Sequence, residues 1–337
     1  MQPFAGLRPK AAYAEEVAAP PYDVLTTEEA RLLAKNRPWS FLHISKPDID
    51  LPPNSDPYGR EVYAKCAENM ARMLKRGILI QDDIPSYYVY RIQVGEHCQT
   101  GVVGAGSIGA YENNTIRRHE LTRYDKEVDR VNQILAVNAH TGPVLALHKF
   151  DAKLSSLTEE IVLEDAAYSI ITEQGEIHTL WVVKERHQIN TITKCFERIG
   201  VIYIADGHHR SAAASRVTAK RKETNSVHTG LESYNTFLLV SFPDTEVKIL
   251  DYNRVVKDLN GLSPSTFLES LKQNFQISDS EFPVKPSGAM YFGMYLDKKW
   301  YCLRFKGDLD AKNPNIKSLD VSILADYILK PVLGIID

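Results

Sequence analysis

Asp206-Gly207-His208-His209-Arg210-Ser211 gathers a carboxylate, two imidazoles, a guanidinium and a hydroxyl in consecutive positions. The apolar run Val201-Ile202-Tyr203-Ile204-Ala205 before it reads as a buried strand, and the small residues from Ser211 onward open a helix over residues 211–222. A glycine turn between strand and helix leaves the N–H groups at the helix N-terminus unpaired, and the helix dipole favours an anion there. Arg210 can grip a phosphate through two parallel hydrogen bonds, His208 and His209 can donate to its oxygens, and Asp206 can hold Mg²⁺ or orient a histidine. The plain alternative is a helix cap made by Asp206 or Ser211, with both histidines in solvent. Two histidines and an arginine beside one Asp-Gly turn favour the anion site. Zinc fits less well, because adjacent histidines on a turn rarely face one metal and no cysteine or H-x-x-x-H partner stands nearby.

A second constellation is Arg117-Arg118-His119-Glu120-Leu121-Thr122-Arg123-Tyr124-Asp125-Lys126-Glu127-Val128-Asp129-Arg130, in which only Leu121 and Val128 are aliphatic. A solvated loop or helix face has this composition too. Its place between a glycine-rich strand and a helix is where site loops are common. Phosphoryl transfer needs cations for the transferred charge and carboxylates for Mg²⁺ and for a base, and this segment holds both. Gly101, Gly104, Gly106 and Gly109 alternate with apolar residues and read as close backbone packing in a strand. His43, in Phe41-Leu42-His43-Ile44, reads as a satisfied core histidine, and no P-loop, kinase signature set or G-x-S-x-G elbow is present.

The elements that must position these residues follow from periodicity and turn chemistry. Thr26-Thr27-Glu28-Glu29 opens a helix in capping-box style, residues 39–44 alternate like a short strand, and residues 59–76 carry a helical apolar face ended by Gly77. Residues 87–94 and 99–108 flank Gly95-Glu96-His97 as a hairpin, and residues 169–172 and 178–183 form a second one around Glu173-Gln174-Gly175-Glu176. Helices are expected over 130–139, 187–199 and 265–274, strands over 144–148 and 236–242, a third hairpin over 289–305, and a last helix from Val321. Hairpins mixed with helices predict an α+β fold with a largely antiparallel sheet. The expected organisation is an N-terminal portion over 1–86, a central body over 87–250 holding both motifs, and a C-terminal α/β portion over 251–337 that stops mid-pattern as though truncated.

Composition excludes several classes. Of 337 residues, 44% are hydrophobic and 25% charged, the usual balance of a soluble globular chain. No apolar stretch approaches the ~20 residues of a membrane span, and the first residues, with Pro3 and Pro9, lack the apolar core of a secretory signal. The four scattered cysteines include no C-x-x-C pair and read as reduced cytosolic thiols, so a cytoplasmic location is expected. A net charge of −3 offers nucleic acid no global attraction, so any anion site is local.

Four strings together, Ala19-Pro20-Pro21-Tyr22-Asp23-Val24, Tyr111-Glu112-Asn113, His119-Glu120-x-Thr122 with Lys126-Glu127-x-Asp129-Arg130, and Tyr203-Ile204-Ala205-Asp206-Gly207-His208-His209-Arg210, resemble a widespread microbial family catalogued as a conserved domain of unknown function. The Asp-Gly-His-His-Arg box also resembles that of the free-serine kinases of the ParB/sulfiredoxin superfamily. The resemblance implies a ParB/sulfiredoxin-like core and phosphorylation of free L-serine to O-phospho-L-serine in serine and cysteine biosynthesis, with pyrophosphate, ADP or ATP as donor. The same superfamily holds DNA-binding CTP hydrolases, so a nucleotide- or nucleic-acid-binding module without turnover is the alternative. On the kinase reading, donor phosphates sit on residues 207–211, gripped by His208, His209 and Arg210, with Arg117, Arg118, His119, Thr122, Arg123, Lys126 and Arg130 adding contacts. Glu120 is the expected base for the serine hydroxyl, Asp206 and His209 share the catalytic centre, and Asp125, Asp129 and Asp206 are the candidates for Mg²⁺. Pyrophosphate is the favoured donor, since the segment offers dense charge and little aromatic slot for a base.

Overall fold

In the computed structural model, which describes residues 1–307 and 318–336, the chain begins as an extended segment tied to the body of the protein at three places. Gln2 bridges Ala105, Phe4 bridges Ser86, and Leu7–Pro9 (β1) runs antiparallel to Leu79–Gln81 (β2). Arg8 anchors this segment through Asp82 at 2.7 Å. Ala14–Val17 (α1) and Thr27–Ala34 (α2) follow, the second opened by the reciprocal Thr26 and Glu29 hydrogen bonds of a capping box.

Residues 39–44 are not a strand. Leu42–Ser45 form a short helix (α3), with Ile44 N–H donating to Phe41 O and Lys46 N–H to Leu42 O. A short apolar run has no period long enough to separate strand from helix, and here Leu42, Ile44 and Ser45 are all buried. Arg60–Lys75 (α4) starts at Gly59 and presents Val62, Cys66, Met70 and Met73 to a core shared with Ile44 and Val17.

The main sheet is built from Tyr87–Val94 (β3), His97–Ser107 (β4), Ile116–Arg117 (β5), Val144–His148 (β6), Tyr168–Ile171 (β7), Ile177–Val183 (β8), Ile202–Asp206 (β9) and Thr236–Pro243 (β10). Their spatial order is β5-β9-β6-β10-β4-β3-β8-β7. β5 with β9 and β6 with β10 are parallel; the other neighbours are antiparallel. With Ile108–Glu112 (α5), Tyr124–Val137 (α6), Ala152–Ile161 (α7), Arg186–Ile199 (α8) and His208–Thr224 (α9) packed around it, the architecture is a mixed α+β one. Gly101 in β4 lets the Phe242 ring of β10 approach, because a Cβ there would lie 2.8 Å from it.

α6 and α9 both begin earlier than their apolar patterns imply. The buried face of α6 carries Glu127, Asp129 and Gln133 beside Val131, so charged residues hide its first turns. α9 starts at His208, and the Asp-Gly-His-His-Arg box therefore runs from the end of β9 into the first helical turn.

Residues 1–249 form one compact unit, so residues 1–86 share it with residues 87–249, and residues 250–337 form another. Pro264–Leu271 (α10), Phe275–Ser280 (β11), Tyr291–Leu296 (β12), Lys299–Phe305 (β13) and Asp320–Leu324 (α11) build the second unit around Phe267, Leu271, Phe275 and Leu303. Residues 308–317 and Asp337, parts of the expected C-terminal portion, lie outside the described residues.

α6 and α9 lie side by side over Val131, Ala213 and Val217, with Ile134 at the edge. Ala213 is fully buried, so Ala213→Leu overpacks the seam and is expected to cost about 1–3 kcal/mol in urea unfolding. Ala219→Leu, on the exposed side of the same helix, stays within about 0.5 kcal/mol of the parent. Equal losses at the two positions would contradict this packing.

Candidate functional site

The parallel pairing of β5 with β9 sets Ile116 opposite Ile202 and Arg117 opposite Tyr203, so both strands leave the sheet in the same direction. Each then enters a helix, β5 through residues 118–123 into α6 and β9 through Gly207 into α9. The two charged segments, about ninety positions apart in the chain, thereby meet; the Arg123 N–H donates to His209 Nε2 at 3.1 Å. Gly207 makes the turn at φ +92°, and a Cβ there would stand 3.3 Å from both Val144 Cα and the Arg210 guanidinium.

A cleft of about 500 Å³ opens where these segments meet. Glu120, Arg123, Lys126, Asp129, Arg130, Asp206, Gly207, His208, His209 and Arg210 line it. The other expected site residues stand outside the lining. Arg117 lies over the Tyr203 ring, Arg118 donates to Tyr111 Oη at 3.0 Å, and Thr122 donates to Glu127. Asp125 pairs with Arg123 at 2.8 Å, Ser211 is buried with its hydroxyl donating to His208 O, and the His119 ring packs edge-on against His208 with centroids 4.6 Å apart.

The rest of the lining includes residues that sequence reasoning did not assign. Tyr22, Asp23, Ser45, Lys46, Pro47, Asp48, Tyr58, Tyr63 and Gln133 are among them. Tyr22 and Asp23 stand in the Ala19-Pro20-Pro21-Tyr22-Asp23-Val24 string, a signal present but without a role; nothing in the sequence pattern marks Ser45 to Asp48.

α9 has no side-chain cap, and the N–H groups of His208, His209 and Arg210 have no acceptor among the described residues. The cations around them are held in place. Arg130 pairs with Asp129 at 2.5 Å and lies 4.1 Å from the Tyr22 ring centroid. Arg210 pairs with Asp206 at 2.6 Å and donates to Pro143 O. Lys126 donates to Tyr58 Oη at 3.0 Å. Tyr63 Oη donates to Asp129 at 2.9 Å, and burial together with that carboxylate pushes the phenol up to about 12.

His208 is 3% exposed and its Nδ1 lies 3.2 Å from Glu120 Oε2. Nε2 of the same ring has no hydrogen-bond partner among the described residues. Burial first, and then the neighbouring His119, hold His208 below the ordinary histidine value. No group of three His, Cys, Asp or Glu side chains among the described residues is placed to hold a metal ion by itself. Among the described residues, no helix is long and apolar enough to cross a membrane.

Residues 1–322 match the family described as "Protein of unknown function (DUF1015)". The chain belongs to that family. No curated protein and no solved structure matches it. Both motifs, the N-terminal string and the whole lining of the cleft fall within the matched DUF1015 span.

A depressed histidine sets a pH dependence with a definite sign. Unfolded His208 takes up a proton near pH 6.5 while the folded ring resists it, so its contribution to stability is present above pH 6.5 and lost as pH falls below. His140 and His148 are also depressed by burial, His148 to about 4, and act in the same direction. Between pH 7 and pH 5 the urea midpoint of the parent is therefore expected to fall more steeply than that of His208→Gln, which keeps the other two. Parallel pH profiles would show that His208 is not held neutral.

Proposed function

We propose that the cleft is the active site of a small-molecule kinase with a ParB/sulfiredoxin-like core, which transfers a phosphoryl group from pyrophosphate to free L-serine and yields O-phospho-L-serine and orthophosphate. The observation that carries this reading is the first turn of α9, where three backbone N–H groups without acceptors open beside Arg210, Arg123 and Lys126. A donor phosphate bound at that turn would have Arg123, Lys126, Arg130 and Arg210 in the same cleft, which suits a reaction whose catalysis is mostly positioning and charge stabilisation.

Glu120 is the base. One of its carboxylate oxygens lies 3.2 Å from His208 Nδ1, and the other has no partner among the described residues. As the serine oxygen attacks phosphorus, the bond from that phosphorus to the bridging oxygen breaks, orthophosphate leaves, and the hydroxyl proton passes to Glu120. Asp206 and Asp129 would hold Mg²⁺ that arrives with the donor, since Mg²⁺ needs only one or two carboxylates when phosphates and waters complete its shell. When bound, the ion would neutralise charge on the donor oxygens.

The tyrosines of the cleft bear on the donor. Tyr22 covers Arg130, Tyr58 holds Lys126 and Tyr63 holds Asp129, so each is committed to a charged neighbour. With the Tyr22 face on Arg130 and the Tyr58 face under Lys126, two of these rings are not free to stack on a base, which favours pyrophosphate over ADP or ATP.

The test is to incubate the purified chain with Mg²⁺, L-serine and pyrophosphate, ADP or ATP in turn and assay for phosphoserine. Product is expected with pyrophosphate; its absence with all three donors removes the kinase reading. Glu120→Gln is expected to lower turnover by about 10²–10⁴-fold with little change in stability. A loss within about threefold would take Glu120 out of the base role, leaving it a surface ion pair worth at most ~1 kcal/mol. EDTA is expected to abolish transfer and leave the far-UV circular dichroism unchanged, whereas unfolding by chelator would indicate a structural metal instead.

A further inference from the structure

We infer that the wall of the cleft made by Asp23, Ser45 and Lys46 is a subsite for the head group of a free α-amino acid, with Lys46 taking the carboxylate and Asp23 the ammonium. Lys46 and Ser45 follow one another at the end of α3, and both line the same cleft as the α9 N-terminus.

The Lys46 side chain is only 18% exposed, yet its ammonium makes no hydrogen bond among the described residues. Among the described residues its one ion-pair partner is Asp48, 3.7 Å away, and that carboxylate already accepts from Thr27 Oγ1 at 2.6 Å. A largely buried ammonium without hydrogen bonds is costly, and the cleft is the side from which an anion can reach it. Next to it the Ser45 hydroxyl is buried, with Oγ lacking any partner among the described residues. Asp23 lines the same wall, is exposed, and joins no ion pair or hydrogen bond among the described residues.

These groups fit a ligand that carries both signs. A phosphate would meet Lys46 but also the Asp23 and Asp48 carboxylates, and like charges in a partly enclosed cleft repel strongly. A zwitterion satisfies all of them: carboxylate to Lys46 and Ser45, ammonium to Asp23. The subsite rests on the kinase reading only for the choice of serine as the amino acid; the charge pattern itself does not require that reaction.

The experiment is calorimetric titration of the whole chain with L-serine, with and without methylenediphosphonate as an unreactive pyrophosphate stand-in, beside ethanolamine and 3-hydroxypropionate, which lack the carboxylate and the ammonium. L-serine is expected to bind at least tenfold tighter than either truncated compound. Lys46→Met and Asp23→Asn are each expected to weaken L-serine by tenfold or more and to leave methylenediphosphonate within twofold. Asp23 is exposed and unpaired, so its variant reports on binding even if Lys46→Met folds poorly. L-serine that fails to bind under both conditions, variants that bind it like the parent, or a Lys46→Met change that weakens methylenediphosphonate instead would each overturn the subsite. Loss of serine binding in the variants without phosphoserine formation by the parent would leave the subsite standing and remove the kinase reading alone.

Discussion

Two rungs of a parallel ladder, Ile116 with Ile202 and Arg117 with Tyr203, decide where both charged segments leave the sheet. Had β5 run antiparallel to β9, residues 118–123 would emerge at the opposite end from Gly207, and Arg123 could not donate to His209. Because each strand continues into a helix, the same pairing brings the first turns of α6 and α9 together. The helices are then held by the small, fully buried Ala213 against Val131. A first turn of α9 resting on bulkier side chains would stand further from α6 and open the cleft.

The charges at the cleft are arranged in pairs that fix geometry. Arg130 sits between Asp129 and the Tyr22 ring, Arg210 between Asp206 and the Pro143 carbonyl, and Lys126 against Tyr58. The Arg130–Asp129 pair is largely buried and the Arg210–Asp206 pair more open, and in both a guanidinium with two of its contacts already set loses less conformational freedom when an anion arrives. On the proposed reading, this is how a chain with a net charge of −3 would present a local anion site: the carboxylates orient the cations, and the uncapped amides of α9 add positive potential that does not titrate.

Much of the architecture was legible in the sequence because strands and turns announce themselves locally. The hairpin around Gly95, the strand before Asp206 and the capping box at Thr26 all follow from period and turn chemistry. What escaped was of two kinds. Helical turns whose buried face is polar, with Glu127 and Asp129 on α6, carry no apolar period, and the short apolar run ending in Ser45 has too few residues for any period to show. The site divided in the same way. Ten of the residues singled out by chemistry line the cleft, because charge density in a strand-to-helix turn is a local property. Tyr22, Asp23, Ser45 and Lys46 reach it through the path of the N-terminal segment, whose anchors are backbone bridges and the Arg8 to Asp82 pair, and pairing between distant segments leaves no mark on the residues it brings together.

The unpaired groups of the cleft carry a thermodynamic consequence of their own. Native interiors leave few buried polar atoms without partners, yet His208 Nε2 and Ser45 Oγ are both in that condition and both belong to residues lining one cleft. Each costs on the order of 1–3 kcal/mol relative to a satisfied group, in a fold whose total margin is of the order of 5–15 kcal/mol. A sequence selected for stability alone would replace Ser45 with alanine, which removes the orphan hydroxyl at no cost in packing volume. A ligand that satisfies such groups binds the folded chain and not the unfolded one, and so returns the deficit as added stability in proportion to its concentration. Among the described residues, two buried side-chain atoms without partners, three amide groups without acceptors and an ammonium without hydrogen bonds thus lie along one cleft, and on the proposed reading a bound ligand is what would satisfy them.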